Sequence, residues 1–316
     1  MPFKFWWPLI AGAATGLALR LVYSGAAGDA YNAMAFGFVV FAPIAVGAAT
    51  AFTAERIRRR TLGYHIAASA AATALFVLGS LLALIEGMIC AIIILPLFTA
   101  LGMVGGVLMG LVCRFTNWPK QTLCCVLLLP LALGGVDRDL PLPDNVLEVE
   151  RAVLIGAPPE VVWGELMNAR DIRADELENA WLFRIGVPVP LDGRIVAGPQ
   201  PARRVRMAKN VYFDELITES RENERVSWTY RFYPDSFPPY ALDEHVAVGG
   251  LYFDVRDTSY TLARRGDGTE VRMRIGFRVS TRFNWYANPV ARYLIGNLIE
   301  SNLGYYRRRS EAHERA

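Results

Sequence analysis

His245 sits in Asp243-Glu244-His245 and is the one histidine in the folded part of the chain's second half. A histidine oriented by a neighbouring carboxylate can act as general base for a cyclisation or dehydration. The plainer reading is a loop histidine at the surface or at the mouth of a site. The run Ala202-Arg203-Arg204-Val205-Arg206 poses a second choice. In an extended segment Arg204 and Arg206 share one face, and Arg203 and Val205 share the other. An inward arginine would clamp a carboxylate or phosphate, whereas an outward one pairs with acids across a sheet. Glu86 and Arg20 interrupt apolar stretches. An intramembrane carboxylate can mark an ion path. Both residues fall near the ends of their stretches, where Arg20 is expected to snorkel and water to reach Glu86. There is no G-x-S-x-G, no H-E-x-x-H, no phosphate-binding glycine loop and no cysteine beyond Cys125, so neither a covalent nucleophile nor a zinc centre is expected in the second half. No cofactor is expected.

The elements that position these residues divide sharply. Residues 1–136 carry eight Lys or Arg and three Asp or Glu, leaving 25 basic and 27 acidic residues for the remainder of the 316. The net charge of +3 therefore arises in the apolar half. The second half is slightly acidic, with arginines alternating with carboxylates, and nucleic acid is not an expected partner.

The apolar half (1–136) holds four stretches of bilayer-spanning length, near 6–23, 31–52, 62–85 and 87–112. The first also has the look of a signal peptide, but three spans close behind favour an uncleaved helix. The basic run Arg56-Ile57-Arg58-Arg59-Arg60 marks a cytoplasmic loop, and Arg114 with Lys120 a second. Residues 122–136 are short for a span. If they cross, the soluble half is extracytoplasmic, in the periplasm of a bacterium; if not, it is cytoplasmic. Crossing is the reading taken, giving a multi-pass protein of a bacterial inner membrane.

After a Pro- and Asp-rich linker (137–145), residues 146–316 read as a strand, two short helices, several antiparallel strands and a long last helix. "GAPPEVVWGELMN" opens the first helix with Pro159 in its first turn. "WLFRIGVPVP" reads as a short strand, "GDGT" as a hairpin turn, and the final helix is capped by Asn288 ahead of Pro289. Alternation in "VSWTYRF" groups Trp228 and Tyr230 with Val226, while in "LYFDVRDTSYTL" it turns Phe253 inward and sets Tyr252 and Tyr260 in an outward polar row.

The strand followed by "APPEVVW", then "WLFRIGVPVP", the "GDGTEV" hairpin and the closing helix resemble the START-like (SRPBCC) superfamily, including its polyketide cyclase/dehydrase-like members. The resemblance covers about 145–313. It implies an α+β helix-grip domain, with a curved antiparallel sheet around a long C-terminal helix, and a cavity that takes lipids, hormones, polyketides or other apolar molecules. The expected ligand contacts are Trp181, Phe183, Arg204, Arg206, Trp228, Tyr230, Phe253, Trp285 and Tyr293. The leading expectation is a membrane-anchored binder or carrier of a lipid or isoprenoid-like molecule, with membrane lipids as partners. A cyclase-like enzyme using His245 and a partner-binding assembly domain are the alternatives.

Overall fold

The computed structural model describes residues 3–26, 28–116, 120–137, 140–177, 180–196, 200–239 and 241–313. They form two compact units, Met1–Pro143 with Thr281–Phe283, and Asp144–Ser280 with Asn284–Ala316.

The first unit is helical: α1 (Phe3–Val22), α2 (Ala42–Ile57), α3 (Leu62–Leu82), α4 (Met88–Phe115) and α5 (Lys120–Asp137). Among the described residues three helical stretches are long and apolar enough to cross a membrane, Gly37–Ile57, Leu62–Leu82 and Met88–Phe115. Trp6–Val22 and Lys120–Gly134 are shorter apolar helices. The second expected span, near 31–52, starts later, because the chain at 29–34 is a closed turn. Tyr31 adopts φ 57°, and Asn32 bonds both the carbonyl of Asp29 and the amide of Met34. A wider π-helical turn, Gly37–Phe41, then precedes Pro43, whose missing N–H breaks the regular ladder there.

Glycines set the spacing of these helices. A Cβ on Gly47 of α2 would stand 1.9 Å from the Gly102 carbonyl oxygen of α4, and one on Gly106 the same distance from Ser69 Oγ of α3. The backbones thus approach as closely as small residues permit, the packing that lipid-embedded helices use in place of a hydrophobic driving force. Arg20 does not snorkel. It is 6% exposed and donates from Nε to Glu86 Oε1 at 2.5 Å, from Nη1 to the Tyr23 carbonyl and from Nη2 to the Ile85 carbonyl. Where α2 turns into α3, the buried Glu55 bonds His65 Nε2 at 3.0 Å and the Arg60 amide at 3.0 Å.

The second unit is α+β. Its strands are β1 (Asn145–Ile155), β2 (Pro190–Val196), β3 (Ala202–Met207), β4 (Tyr212–Arg221), β5 (Arg225–Arg231), β6 (Phe253–Arg265) and β7 (Gly268–Val279). Its helices are α6 (Pro159–Met167), α7 (Trp181–Arg184) and α8 (Asn284–His313). All strands pair antiparallel in one sheet of order β1-β7-β6-β5-β4-β3-β2.

This corrects the expected curved helix-grip sheet. The sheet is open, with β1 and β2 as its two edges and no pairing among the described residues that brings them together. Strands β2 to β7 are laid down side by side in chain order and β1 adds beyond β7, so no strand bends the far edge back around the helix. α8 packs instead on β1 and β7 at one end of the sheet, with α6 beside it.

Two further elements differ from expectation. "WLFR" is a helical turn rather than a strand: the Leu182 amide is held by Asn297 Oδ1 of α8 at 3.2 Å, and Gly186 at φ 111° ends the turn. α8 begins at Asn284, before the expected Asn288 cap, and carries Pro289 inside it.

The core of this unit combines Val149, Ile155, Val162, Leu166, Met273, Ile275, Phe277, Ile295, Ile299 and Leu303 with Trp228, Tyr260 and Tyr306. Each fully buried aliphatic side chain here contributes roughly 1.5–3 kcal/mol over leaving it exposed.

Candidate functional site

A polar cluster lies inside this core. Register places Arg203 of β3 opposite Glu215 of β4, and both point inward. Arg203 Nη1 donates to Glu215 Oε2 at 2.5 Å, with the two side chains 7% and 9% exposed. The guanidinium carbon stands 5.7 Å from the Trp228 ring centroid, within cation–π range. Gly193 on β2 makes the space, since a Cβ there would come within 2.3 Å of Arg203 Nη2.

Tyrosines close the cluster. Tyr230 shares a 2.6 Å hydrogen bond with Thr258 Oγ1, and the Tyr260 and Tyr306 rings meet edge to face at 5.9 Å. Burial pushes the hydroxyls of Tyr230, Tyr260 and Tyr306 above the ordinary phenol value, so all three stay neutral. For the ion pair, burial and attraction oppose each other. Burial is the largest influence on Arg203 and would lower it, but the charge and hydrogen bond of Glu215 together with the surrounding tyrosines outweigh it, and the guanidinium stays charged. Burial outweighs the same attraction at Glu215 and raises its carboxyl.

One donor in this cluster is unsatisfied. Arg203 Nε has no hydrogen-bond partner, although the residue is only 6% exposed, while Trp228 Nε1, 2% exposed, has only a poorly formed interaction with the Tyr230 hydroxyl; the nearby helix residue Tyr305 leaves its hydroxyl unpaired too. Buried N–H groups are nearly always paired, and an unpaired one costs about 1–3 kcal/mol. Such a donor is chemically suited to a hydrogen-bond acceptor.

The structure distributes the expected contact residues over three places. Trp228 and Tyr230 belong to the buried cluster, and Phe183 and Phe253 pack against the same core, Phe253 at 6.2 Å from Phe277. Arg204 and Arg206 lie on the opposite sheet face. Arg204 binds both oxygens of Asp214, at 2.7 and 2.9 Å, and Arg206 is held by Asp192. Trp181, Trp285 and Tyr293 are on the surface, 36%, 61% and 60% exposed.

His245 stands on a short turn, Glu244–Val246, edge-on to Tyr252 at 6.2 Å. Its Nδ1 is buried and makes no hydrogen bond among the described residues.

Sequence reasoning missed Arg203 as the inward arginine, and with it Glu215, Tyr260 and Tyr306. Glu215 left a signal, since it alternates with Phe213 and Ile217 and so falls on an otherwise apolar face. Tyr260 was assigned outward because strict alternation was assumed. A bulge between Val255 and Asp257 shifts the register, so that Phe253 and Val255 face inward on one side of it and Thr258, Tyr260 and Leu262 on the other.

No family model matches the sequence, and no curated protein matches it. Among solved structures, a START superfamily protein from Mycobacterium smegmatis is 14% identical, covers 52% of this chain and 97% of its own, and aligns with a TM-score of 0.34. A protein of unknown function from Staphylococcus aureus is 12% identical, covers 55% and 98%, and scores 0.35. A protein from Thermus thermophilus is 18% identical, covers 53% and 99%, and scores 0.32. These are distant likenesses, and no activity or ligand is transferred from them.

Proposed function

We propose that the second unit binds a hydrophobic small molecule that carries a hydrogen-bond acceptor, and that the helical unit anchors it in the membrane from which that molecule is drawn. The observation that carries the reading is the unpartnered N–H donor Arg203 Nε, buried beside an ion pair, against the Trp228 ring and ringed by neutral tyrosines. A buried ion pair is weak evidence of a purely stabilising role, since apolar residues of similar volume often replace one without loss. The apolar surroundings favour a greasy ligand body, and the donor orients its polar end. Glu215 already balances the charge of Arg203, so a neutral acceptor such as a carbonyl or hydroxyl oxygen suits the site better than an anion, which would bury an unmatched negative charge.

Three helices of spanning length support membrane attachment. We further propose that the second unit lies on the extracytoplasmic side. α5 has 18 residues, about 27 Å at the helical rise, and its shorter apolar stretch, Lys120–Gly134, crosses with local thinning of the bilayer. The basic loops at 56–60 and 114–120 then lie inside.

The test is native mass spectrometry with lipid extraction on the full chain purified in mild detergent. A stoichiometric co-purifying hydrophobe, lost in Trp228→Phe, is the expected result. A chain that carries no adduct and takes none up from a total lipid extract overturns the reading.

A further inference from the structure

Trp285, Pro289, Arg292 and Tyr293 are exposed along the first half of α8, at spacings of three, four and eight residues that put them on one helix face. Trp181 of α7 extends this face, its ring meeting Tyr293 edge to face at 5.9 Å. Large aromatic side chains are normally buried, and a contiguous exposed group of them marks an interaction surface. α7 and the first half of α8, the two helical segments that form the face, carry charge of one sign. Residues 284–299 contain a single charged side chain, Arg292, and α7 contains only Arg184.

We propose that this aromatic and basic face of α7 and α8 docks on the phospholipid headgroup layer of the bilayer in which the chain is anchored. Tryptophan and tyrosine are the side chains that favour this layer, since their rings rest against acyl chains while their N–H and O–H groups stay hydrated. Two cations, with no acid on α7 or on this half of α8, match anionic headgroups. The tether commits the occupant: six residues, 138–143, join α5 to the second unit, a reach of about 20 Å when extended. A bilayer surface is thus always within reach of the unit, at an effective concentration that no freely diffusing partner matches. This docking does not depend on whether the interior cluster binds a ligand.

The test is hydroxyl-radical footprinting of the full chain in nanodiscs of phosphatidylcholine and phosphatidylglycerol, compared with the same chain in amphipol. The expected result is several-fold protection of Trp285 and Tyr293 in the nanodisc alone, while Arg292→Glu restores Tyr293 labelling toward the amphipol level. Equal labelling in the two environments overturns the proposal. So does protection that is as strong in amphipol, which would mean that protein covers the face. Arg292 is exposed and gives up one surface hydrogen bond in this variant, from Nη1 to the Glu148 carbonyl at 3.0 Å, so the chain is expected to fold, and the wild-type comparison decides the matter without it.

Discussion

Arg203 reaches across one strand pair to hold Glu215 at 2.5 Å, and both side chains end in the core rather than at its rim. Breaking such a pair strands a charge. Arg203→Met or Glu215→Leu alone should each lower stability by about 3–5 kcal/mol, whereas Arg203→Met with Glu215→Leu should come within roughly 1 kcal/mol of the parent or exceed it. Melting of the full chain in detergent, followed by near-ultraviolet circular dichroism, measures all three. If the double variant melts like the parent yet loses its co-purifying molecule, the pair serves binding; losses that simply add would show that the two residues do not act as a pair.

Adjacent residues on β4 titrate in opposite senses. The bidentate hydrogen bonds from Arg204 hold the Asp214 carboxyl below its ordinary value of 3.8. Its stabilising contribution is therefore complete above that pH and is lost as pH falls through the lower folded-state value. Glu215 faces the other way, and burial raises its carboxyl above the ordinary 4.5, so its contribution is complete below that pH and is lost as pH rises through the folded-state value. Asp214→Asn should flatten the acid limb of a melting-temperature profile, and Glu215→Gln the limb that declines above pH 4.5. A profile whose acid limb is the same in Asp214→Asn as in the parent would sink the first assignment.

Much of this arrangement was legible, and the failures have separate physical causes. The alternation of Val226, Trp228 and Tyr230 survives into the core because β5 runs without a bulge through them. The alternation of β6 does not, since one extra residue near Arg256 reverses the parity that Tyr260 inherits. For Arg203 and Arg204 the local pattern separates two faces, but only the pairing of β3 with β2 and β4 decides which face is covered. Trp285 and Tyr293 carry a helical period that says they share a side, not that the side is bare. Strand order, and hence the open sheet, resides in no local signal at all.

Gly193 gives a direct handle on the site. Its missing side chain is where the Arg203 guanidinium rests, so Gly193→Ala should force that group aside at a cost of about 1–3 kcal/mol and loosen ligand retention in the same variant. Gly164→Ala is the control, because a Cβ there meets nothing within 4 Å. Equal melting and equal ligand retention in the two variants would show that Arg203 can sit elsewhere without loss.

The helix seam of the first unit should rank its glycines by what each one faces. At Gly47 an added Cβ meets the Gly102 carbonyl oxygen at 1.9 Å and the Gly106 amide at 2.7 Å, both backbone, while at Gly106 the shortest contact is the Ser69 hydroxyl, which can rotate away, leaving the Ser69 Cβ at 2.8 Å to be relieved by a shift. Gly106→Ala should cost about 1–3 kcal/mol and Gly47→Ala more. Gly63→Ala faces open space and should gain up to about 1 kcal/mol from helix propensity. Detergent melts of the three variants give the order, and a Gly106→Ala chain less stable than Gly47→Ala would contradict backbone contact as the limiting feature.

Arg20 and Glu86 test whether a carboxylate in the turn between two spanning-length helices is a conduit or a staple. The geometry favours a staple: the guanidinium spends its three nitrogens on Glu86 and on the carbonyls of Tyr23 and Ile85, tying the end of α1 to the turn that follows α3. A staple predicts strong coupling. Glu86→Leu should cost about 3–5 kcal/mol because it leaves Arg20 charged and buried, and Arg20→Met in the same chain should return most of that loss. Glu86→Gln keeps an acceptor oxygen for Nε and should lose less than Glu86→Leu. A conduit predicts another pattern, since Gln can neither carry a proton nor balance a cation, and Arg20→Met would restore nothing. A double-mutant cycle in detergent, read by apparent melting temperature, separates the two: coupling near zero would return Glu86 to the list of candidate ion-path residues.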